Sequence, residues 1–346
     1  MSVERPKPSA SHRPAALGSR RTIDLLWSLV APFVGLLVVC GIFVVYQYAV
    51  TPQNQFLSAY RMTLIAKQTA IVGVGALGMT VVIISAGIDL SAGSLMALAS
   101  VTLAVSLKSG VDPRLAVLIV LAAATLAGAF NGLLITGLGL VPFIVTLGTM
   151  LVFRGLAERV SDQKKIQAPA PDWLATLLDP PAAGSWQMVC TGVWIVVVLG
   201  IVLAALLRYS VFGRYVFAIG SNEATARLCG INVPWVKIGV YAIGGWFMGI
   251  AGIFDFNNLN KQGSPTSGVG LELEIIAAVV IGGGSLNGGR GSVLGSILGA
   301  LTMTTLRSGC VYAGISDPVQ KIVIGSIIIG AVAVDQFLHR DQSASP

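Results

Sequence analysis

The sequence predicts an all-α polytopic membrane protein with about ten transmembrane helices, some of them short or broken. Of its 346 residues, 55% are hydrophobic and only 11% are charged, and the mean hydropathy is +0.83. Soluble domains carry about 25% charged residues. A chain this apolar is expected to place its surface in a lipid bilayer, and its 41 glycines favour close packing between helices.

Apolar segments of the length that a membrane crossing needs, about 20 residues or fewer where a helix is broken, recur along the chain. The first is too long for the core of a signal peptide and has no clear small-residue cleavage site, so we expect it to be retained. The predicted crossings are 28–49, 63–84, 92–108, 115–137, 143–157, 188–207, 236–255, 275–288, 291–308 and 319–338.

Basic residues in the short loops predict that both termini are cytoplasmic. With the N-terminus inside, eleven Lys and Arg residues face the cytoplasm and seven face outward, and acidic neighbours offset the outer seven. This topology divides the chain into a basic cytoplasmic tail (1–27), a transmembrane domain (28–338) and a second cytoplasmic tail (339–346). Within the domain, 158–187 is an outer loop and 208–236 an inner loop.

Composition and spacing argue against several classes of function. Five of the basic residues behind the net charge of +7 lie in the N-terminal tail, and no basic patch interleaved with aromatics follows, so no nucleic-acid partner is expected. The four cysteines lack metal-ligand spacing and both histidines lie in the tails, so no metal site is expected. The stretch GVGALGMT (73–80) has phosphate-loop glycine spacing, but Met79 replaces the lysine, so no ATP or other cofactor is expected on this chain.

Glycines repeat every four residues on several predicted helices. Gly291, Gly295 and Gly299 leave one helix face flat, and the pairs 128/132 and 245/249 repeat the pattern. Small residues at this spacing are typical of tightly packed membrane helices.

Two glycine-rich breaks are candidates for an internal repeat. Shifted by 198 residues, VVIISAGIDLSAGSL falls on VVIGGGSLNGGRGSV, and Asp89 falls on Asn287. Corresponding breaks of this kind are found near substrate paths in transporters built from repeats. Chance alignment of glycine-rich strings explains the match equally well, and the sequence does not say whether a repeat would be parallel or inverted.

The inner loop contains signals for a short helix. Ser221 or Asn222 can cap its start, Glu223 suits the positive first turn, and Gly230 can end it. Such a helix is either a docking knob for a cytoplasmic partner or an ordinary surface helix between two crossings.

Four motifs, in this order, resemble the membrane permease of ABC sugar importers of the ribose/xylose/rhamnose/autoinducer-2 type. The resemblance covers about residues 60–338. The motifs are GMTxVIxxxGIDLSxGS, PFIVTLGTMxxxRGLA, FGRxxxAxGxNExxARLxGI and ELExIAAVVIGGxSLxGGRGSxxGxxxGAL.

The resemblance implies three protein partners besides the lipid bilayer: a cytoplasmic tandem ATPase that binds the ATP and magnesium, a periplasmic sugar-binding protein, and a second permease copy or paralogue. It also implies an ATPase-coupling helix in the inner loop, formed by Asn222, Glu223, Ala224, Arg227 and Gly230.

Asp89 is the only charged residue in the forty residues 68–107. A lone carboxylate in hydrocarbon is costly, so it is expected to be paired, at a surface or beside a wet path. Either it caps the turn between the second and third crossings, with Ser91 and Ser94 satisfying freed backbone groups, or it lines or gates the inner end of a sugar path. Other candidates for an uncharged path are Thr146, Thr149, Ser285 and Asn287.

Together these features predict a non-enzymatic subunit of a bacterial inner-membrane ABC importer that moves a monosaccharide or related polyol into the cytoplasm. A nucleoside or branched-chain amino-acid importer of the same class is the alternative. An ion-coupled secondary transporter is a weaker one, because few ionisable residues fall in the crossings. The sugar, and whether two identical permeases pair, stay open.

Overall fold

The structure is a computed structural model that describes residues 17–50, 56–180 and 189–343. The outermost parts of both predicted tails (1–16 and 344–346) and residues 181–187 of the predicted outer loop lie outside the described residues. Thirteen helices and two short strands make up the described chain.

The helices account for nearly all of the regular structure. The helices are α1 (Leu17–Val50), α2 (Ala59–Ile84), α3 (Ala92–Lys108), α4 (Pro113–Leu138), α5 (Pro142–Ser161), α6 (Asp172–Ala175), α7 (Thr191–Tyr209), α8 (Val211–Ser221), α9 (Glu223–Leu228), α10 (Val233–Asn258), α11 (Leu271–Ile281), α12 (Val293–Tyr312) and α13 (Asp317–Ser343). The strands are β1 (Ile166–Gln167) and β2 (Gln262–Gly263), which pair antiparallel.

The predicted all-α membrane class is confirmed, while the number of crossings and the side of the termini stay predictions. Among the described residues, five helical segments are long and apolar enough to cross a bilayer: Pro32–Val50, Ala59–Ile84, Pro113–Leu138, Thr191–Tyr209 and Val233–Asn258. Helix α11 ends at Ile281, within the segment predicted to run to 288, because three glycines follow and Gly283 has φ +88°.

Helix α10 separates two ends of the molecule. Four residues separate its start from the end of α9, and its end lies shortly before β2. Its 26 residues span about 39 Å. The β1–β2 pair and α9 therefore lie at opposite ends, here called the strand end and the α9 end. The predicted loops 158–187 and 208–236 hold β1 and α9 respectively, so their described parts lie at opposite ends as well.

Close backbone contacts at glycines hold the centre together. A methyl group added to Gly128 of α4 would overlap the Tyr241 carbonyl oxygen of α10 and lie 3.0 Å from Gly245 Cα. Gly245 in turn has no room for a methyl group beside the Ala124 carbonyl oxygen. Side chains of any size would force these two helices apart.

The glycines of α12 make a second contact of this kind. A methyl group on Gly295 would overlap the Gly282 carbonyl oxygen, and one on Gly299 would overlap the Ala278 carbonyl oxygen of α11. The prediction that Gly291 shares this helix face is wrong, because Gly291 precedes α12, which starts at Val293, and it contacts Ile84 at the end of α2. The flat face of α12 thus seats the short helix α11.

We expect Gly128→Ala to destabilise the protein by about 1–3 kcal/mol, because the new methyl group has no space between α4 and α10. The matched control is Gly137→Ala in the same helix, where nothing lies within 4 Å of the added group. The measurement is the thermal unfolding midpoint of both variants in detergent, and equal midpoints would contradict this packing account.

Candidate functional site

At the α9 end, side-chain caps define two consecutive helices. Ser210 Oγ accepts a hydrogen bond from Gly213 N (2.9 Å) and starts α8. Asn222 Oδ1 accepts one from Thr225 N (2.9 Å) and starts α9, whereas Ser221 Oγ donates back to the Phe217 carbonyl. Of the two cap candidates, Asn222 is therefore the residue that caps α9.

Glu223 ties α9 to α10. Its carboxylate accepts from Lys237 Nζ of α10 at 2.7 Å and from Arg227 Nη2 at 3.2 Å. Partial burial raises the pKa of Glu223, but the hydrogen bond and charge of Lys237 and the charge of Arg227 outweigh it, so the pKa lies below its usual value. The ion pairs therefore stabilise the fold above the usual glutamate pKa and are lost only as pH falls through the lowered one.

The outer face of α9 is exposed. Only Ala226 is buried in this helix, while Ala224 and Arg227 are exposed and Leu228 is 89% exposed. Gly230, with φ +82°, then turns the chain so that Ile231 N donates to the Ala226 carbonyl at 3.1 Å. Helix α9 is thus a short, capped helix that presents one large apolar side chain, Leu228, to its surroundings.

Asp89 belongs to a buried hydrogen-bonded cluster in the α2–α3 turn. It is 2% exposed, and its Oδ1 accepts from Ser91 N (2.8 Å) and Ser91 Oγ (2.5 Å). Ser91 Oγ accepts in turn from Asn131 Nδ2 of α4 (2.9 Å), and Thr146 Oγ1 of α5 donates to the Ile88 carbonyl (3.1 Å). The turn that precedes α3 is thereby fastened to two other helices.

The remaining path candidates lie in two places. Ser94 and Thr149 are buried and donate to the Ser91 and Thr146 carbonyls, beside the Asp89 cluster. Ser285 is buried and Asn287 exposed in the glycine-rich turn between α11 and α12. The two breaks that the sequence alignment paired touch each other, because Gly289 N donates to the Ile84 carbonyl at 2.8 Å.

A cavity of about 440 Å³ opens towards the strand end, and sequence reasoning missed it. Its walls come from α2, α3, α10, α11 and α12 and the chain that leads into α11. The lining residues are Leu64, Gln68, Ile71, Val72, Met96, Asp255, Asn258, Leu259, Ser267, Gly268, Val269, Leu271, Glu274, Thr304, Arg307, Ser308 and Val311. None of the seven predicted path candidates is among them.

Polar groups of this strand-end cavity are held in fixed positions. Glu274 Oε1 pairs with Arg307 Nη1 at 2.8 Å, joining α11 to α12. Asp255 Oδ2 accepts from Ser267 Oγ at 2.6 Å, and the Ser267 carbonyl accepts from Arg154 Nη1 of α5 at 2.6 Å. The signal in the sequence was polar residues spaced three and four apart in apolar helices, as in Asp255/Asn258.

Comparisons with known proteins place the chain in a transport family. The family described as "Branched-chain amino acid transport system / permease component" matches residues 61–332, and the chain belongs to this permease family. No solved structure matches.

Several curated relatives cover most of the chain. The ribose import permease protein of Bacillus subtilis is 37% identical over 90% of this chain and 94% of its own length. The fructose import permease protein of Rhizobium meliloti is 36% identical over 83% of this chain and 81% of its own. The inner membrane ABC transporter permease protein YjfF of Escherichia coli is 37% identical over 90% and 95%.

We expect Asp89→Ala to lower stability by about 1–3 kcal/mol, because Ser91 N and Ser91 Oγ both lose their acceptor, and the hydroxyl that accepts from Asn131 is then no longer held in place. Asp89→Asn keeps an acceptor oxygen and should be closer to the wild type. Thermal unfolding and membrane expression of both variants check this. Uptake, measured at matched expression, separates capping from gating: normal uptake by both variants would contradict a gating role.

Proposed function

We propose that this chain is the membrane-spanning subunit of an ABC importer that carries a monosaccharide or related polyol across a bacterial inner membrane. The observation that carries the proposal is the family membership together with relatives named as ribose and fructose import permeases over more than four fifths of the chain. A separate ATPase subunit would supply the energy.

The proposed topology has ten crossings and two cytoplasmic termini. The α9 end would face the cytoplasm and the strand end the periplasm. The excess of basic residues in the predicted inner loops supports this orientation, as does the placement of the predicted inner and outer loops at opposite ends of α10. The exposed apolar side chains of the crossings would contact lipid or a second permease subunit.

In this proposal α9 seats in a cytoplasmic tandem ATPase, which binds ATP and magnesium. The exposed Leu228 and the rigid link from Glu223 to Lys237 support it, because a force applied to α9 would pass directly into α10. A periplasmic sugar-binding protein would meet the strand end, where the described part of the predicted outer loop lies.

Uptake by cells that lack this chain tests the substrate class. We expect deletion in the native host to lower uptake of one radiolabelled monosaccharide or polyol at least tenfold, in a panel that includes ribose and fructose, and a plasmid copy to restore it. Leucine and uridine serve as controls. A defect restricted to leucine or uridine would contradict the sugar assignment and support the alternative.

Charge reversal tests the coupling role of α9. We expect Glu223→Arg and Lys237→Glu each to lower uptake at least tenfold while the protein stays in the membrane, because α9 loses its tie to α10. The double variant Glu223→Arg, Lys237→Glu restores opposite charges and is the matched control that should recover uptake. Gly230→Pro should also abolish uptake, because proline cannot adopt φ +82°.

Normal uptake by both Glu223→Arg and Gly230→Pro, with normal amounts of protein in the membrane, would contradict the assignment of α9 as the coupling helix.

A further inference from the structure

The strand-end cavity lies in one half of the bundle and is closed towards the other. Its floor consists of Ile71, Val72 and Met96, and the rest of α2, from Gly73 to Ile84, is fully buried. Thr304 of the cavity wall bonds to Thr69 of α2 at 2.6 Å, which fixes α12 at this depth. The cavity therefore lies in the half of the bundle next to the strand end, and the buried Asp89 cluster lies beyond its floor.

The polar groups of the cavity are unusual for a surface that faces lipid. Asp255 is only 5% exposed, and it forms no ion pair within the described part of the chain. A buried carboxylate without a cation is costly in hydrocarbon, so membrane proteins keep such groups beside water or a substrate. Its position in the wall indicates a wet cavity.

Further side chains with spare hydrogen-bonding capacity line the same cavity. The side-chain amides of Gln68 and Asn258 both line the cavity, and neither is bonded to another described residue. Helix α12 adds the hydroxyl of Ser308, whereas the hydroxyl of Thr304 is already bonded to Thr69 and to the Ala300 carbonyl. A carboxylate, two amides and one hydroxyl offer donors and acceptors to vicinal hydroxyl groups without introducing a free cation.

The charges also distinguish between classes of solute. Arg307 is the cation that lines this cavity, and Glu274 already neutralises it at 2.8 Å. The ammonium group of an amino acid could pair with Asp255, but its carboxylate would have to compete with Glu274 for Arg307. A neutral polyhydroxylated solute brings no charge, so the cavity fits that solute better.

We propose that the strand-end cavity is a sugar-binding site of the permease itself, in which Asp255, Asn258 and Gln68 bind sugar hydroxyls. Its volume of about 440 Å³ lies in the range of small-molecule sites, roughly 300–1,000 Å³. This inference rests on the proposed function. It goes beyond that function because it assigns the permease its own polar binding site for the sugar, in addition to a path through the membrane.

The test uses the permease with its copurified ATPase in lipid nanodiscs, without nucleotide and without the binding protein. The probe is the radiolabelled sugar that the uptake panel identifies, at millimolar concentrations. We expect the wild type to bind it and Asp255→Asn to bind at least tenfold more weakly. Asp162→Asn, an exposed carboxylate at the end of α5, is the matched control and should bind like the wild type.

A second variant guards against a folding defect in Asp255→Asn. Val311→Cys places a thiol in the cavity wall at a residue that the proposal does not use for binding, and a membrane-impermeant maleimide can reach it in whole cells. We expect the transported sugar to slow this labelling at least threefold, and to leave the labelling of Asp162→Cys unchanged. The unsubstituted protein gives the background from the four native cysteines.

The outcomes separate the two claims. If the wild type takes up a sugar, but a saturating concentration of that sugar leaves labelling of Val311→Cys unchanged, the cavity is not a sugar site and the proposed function still stands. If the wild type takes up no sugar of the panel, the proposed function fails and this inference fails with it. Protection of Val311→Cys together with weaker binding by Asp255→Asn establishes the site.

Discussion

Gly128 of α4 and Gly245 of α10 bring two helix backbones into direct contact, and the rest of the bundle is arranged around that contact. Helices in a bilayer gain little from burying apolar side chains, since lipid is equally apolar, so close packing at small residues has to hold them together. Helix α10 then carries a proposed functional element at each end. Lys237 near its start binds Glu223 of α9, and Asp255 near its end lines the strand-end cavity. One rigid helix thus joins the proposed ATPase contact to the proposed sugar site.

Each polar group inside the bundle also has a specific structural position. Asp89 orders the turn before α3 through Ser91, and Asn131 links that turn to α4. Asp255 and the Glu274–Arg307 pair instead line a cavity that opens at the strand end. The buried carboxylates therefore divide into one that fastens a turn on the closed side and one that faces an open space. An importer that alternates between two open forms needs both kinds of region.

Features that depend on local sequence could be predicted, and features that depend on distant contacts could not. The cap at Asn222, the acidic first turn at Glu223 and the left-handed Gly230 all lie within nine residues, and the structure has each of them. The residues that line the cavity come from several helices between Leu64 and Val311. The polar residues among them are too sparse in any one segment to be recognised from the sequence. Likewise, Asn131 lies 40 residues from Ser91, so only the fold shows that the two are bonded. The predicted path residues are polar residues close to glycines. This pattern indicates a turn as readily as it indicates a path.

The central claim, that this permease works with a separate ATPase seated on α9, is tested most directly by purification from the native host. A tagged copy is extracted in mild detergent, and the copurifying proteins are identified and quantified by mass spectrometry. The account predicts a tandem ATPase in stoichiometric amount, and its loss from the Glu223→Arg variant. Recovery of the membrane protein without any ATPase, under conditions that preserve known ABC importer complexes, would contradict the account.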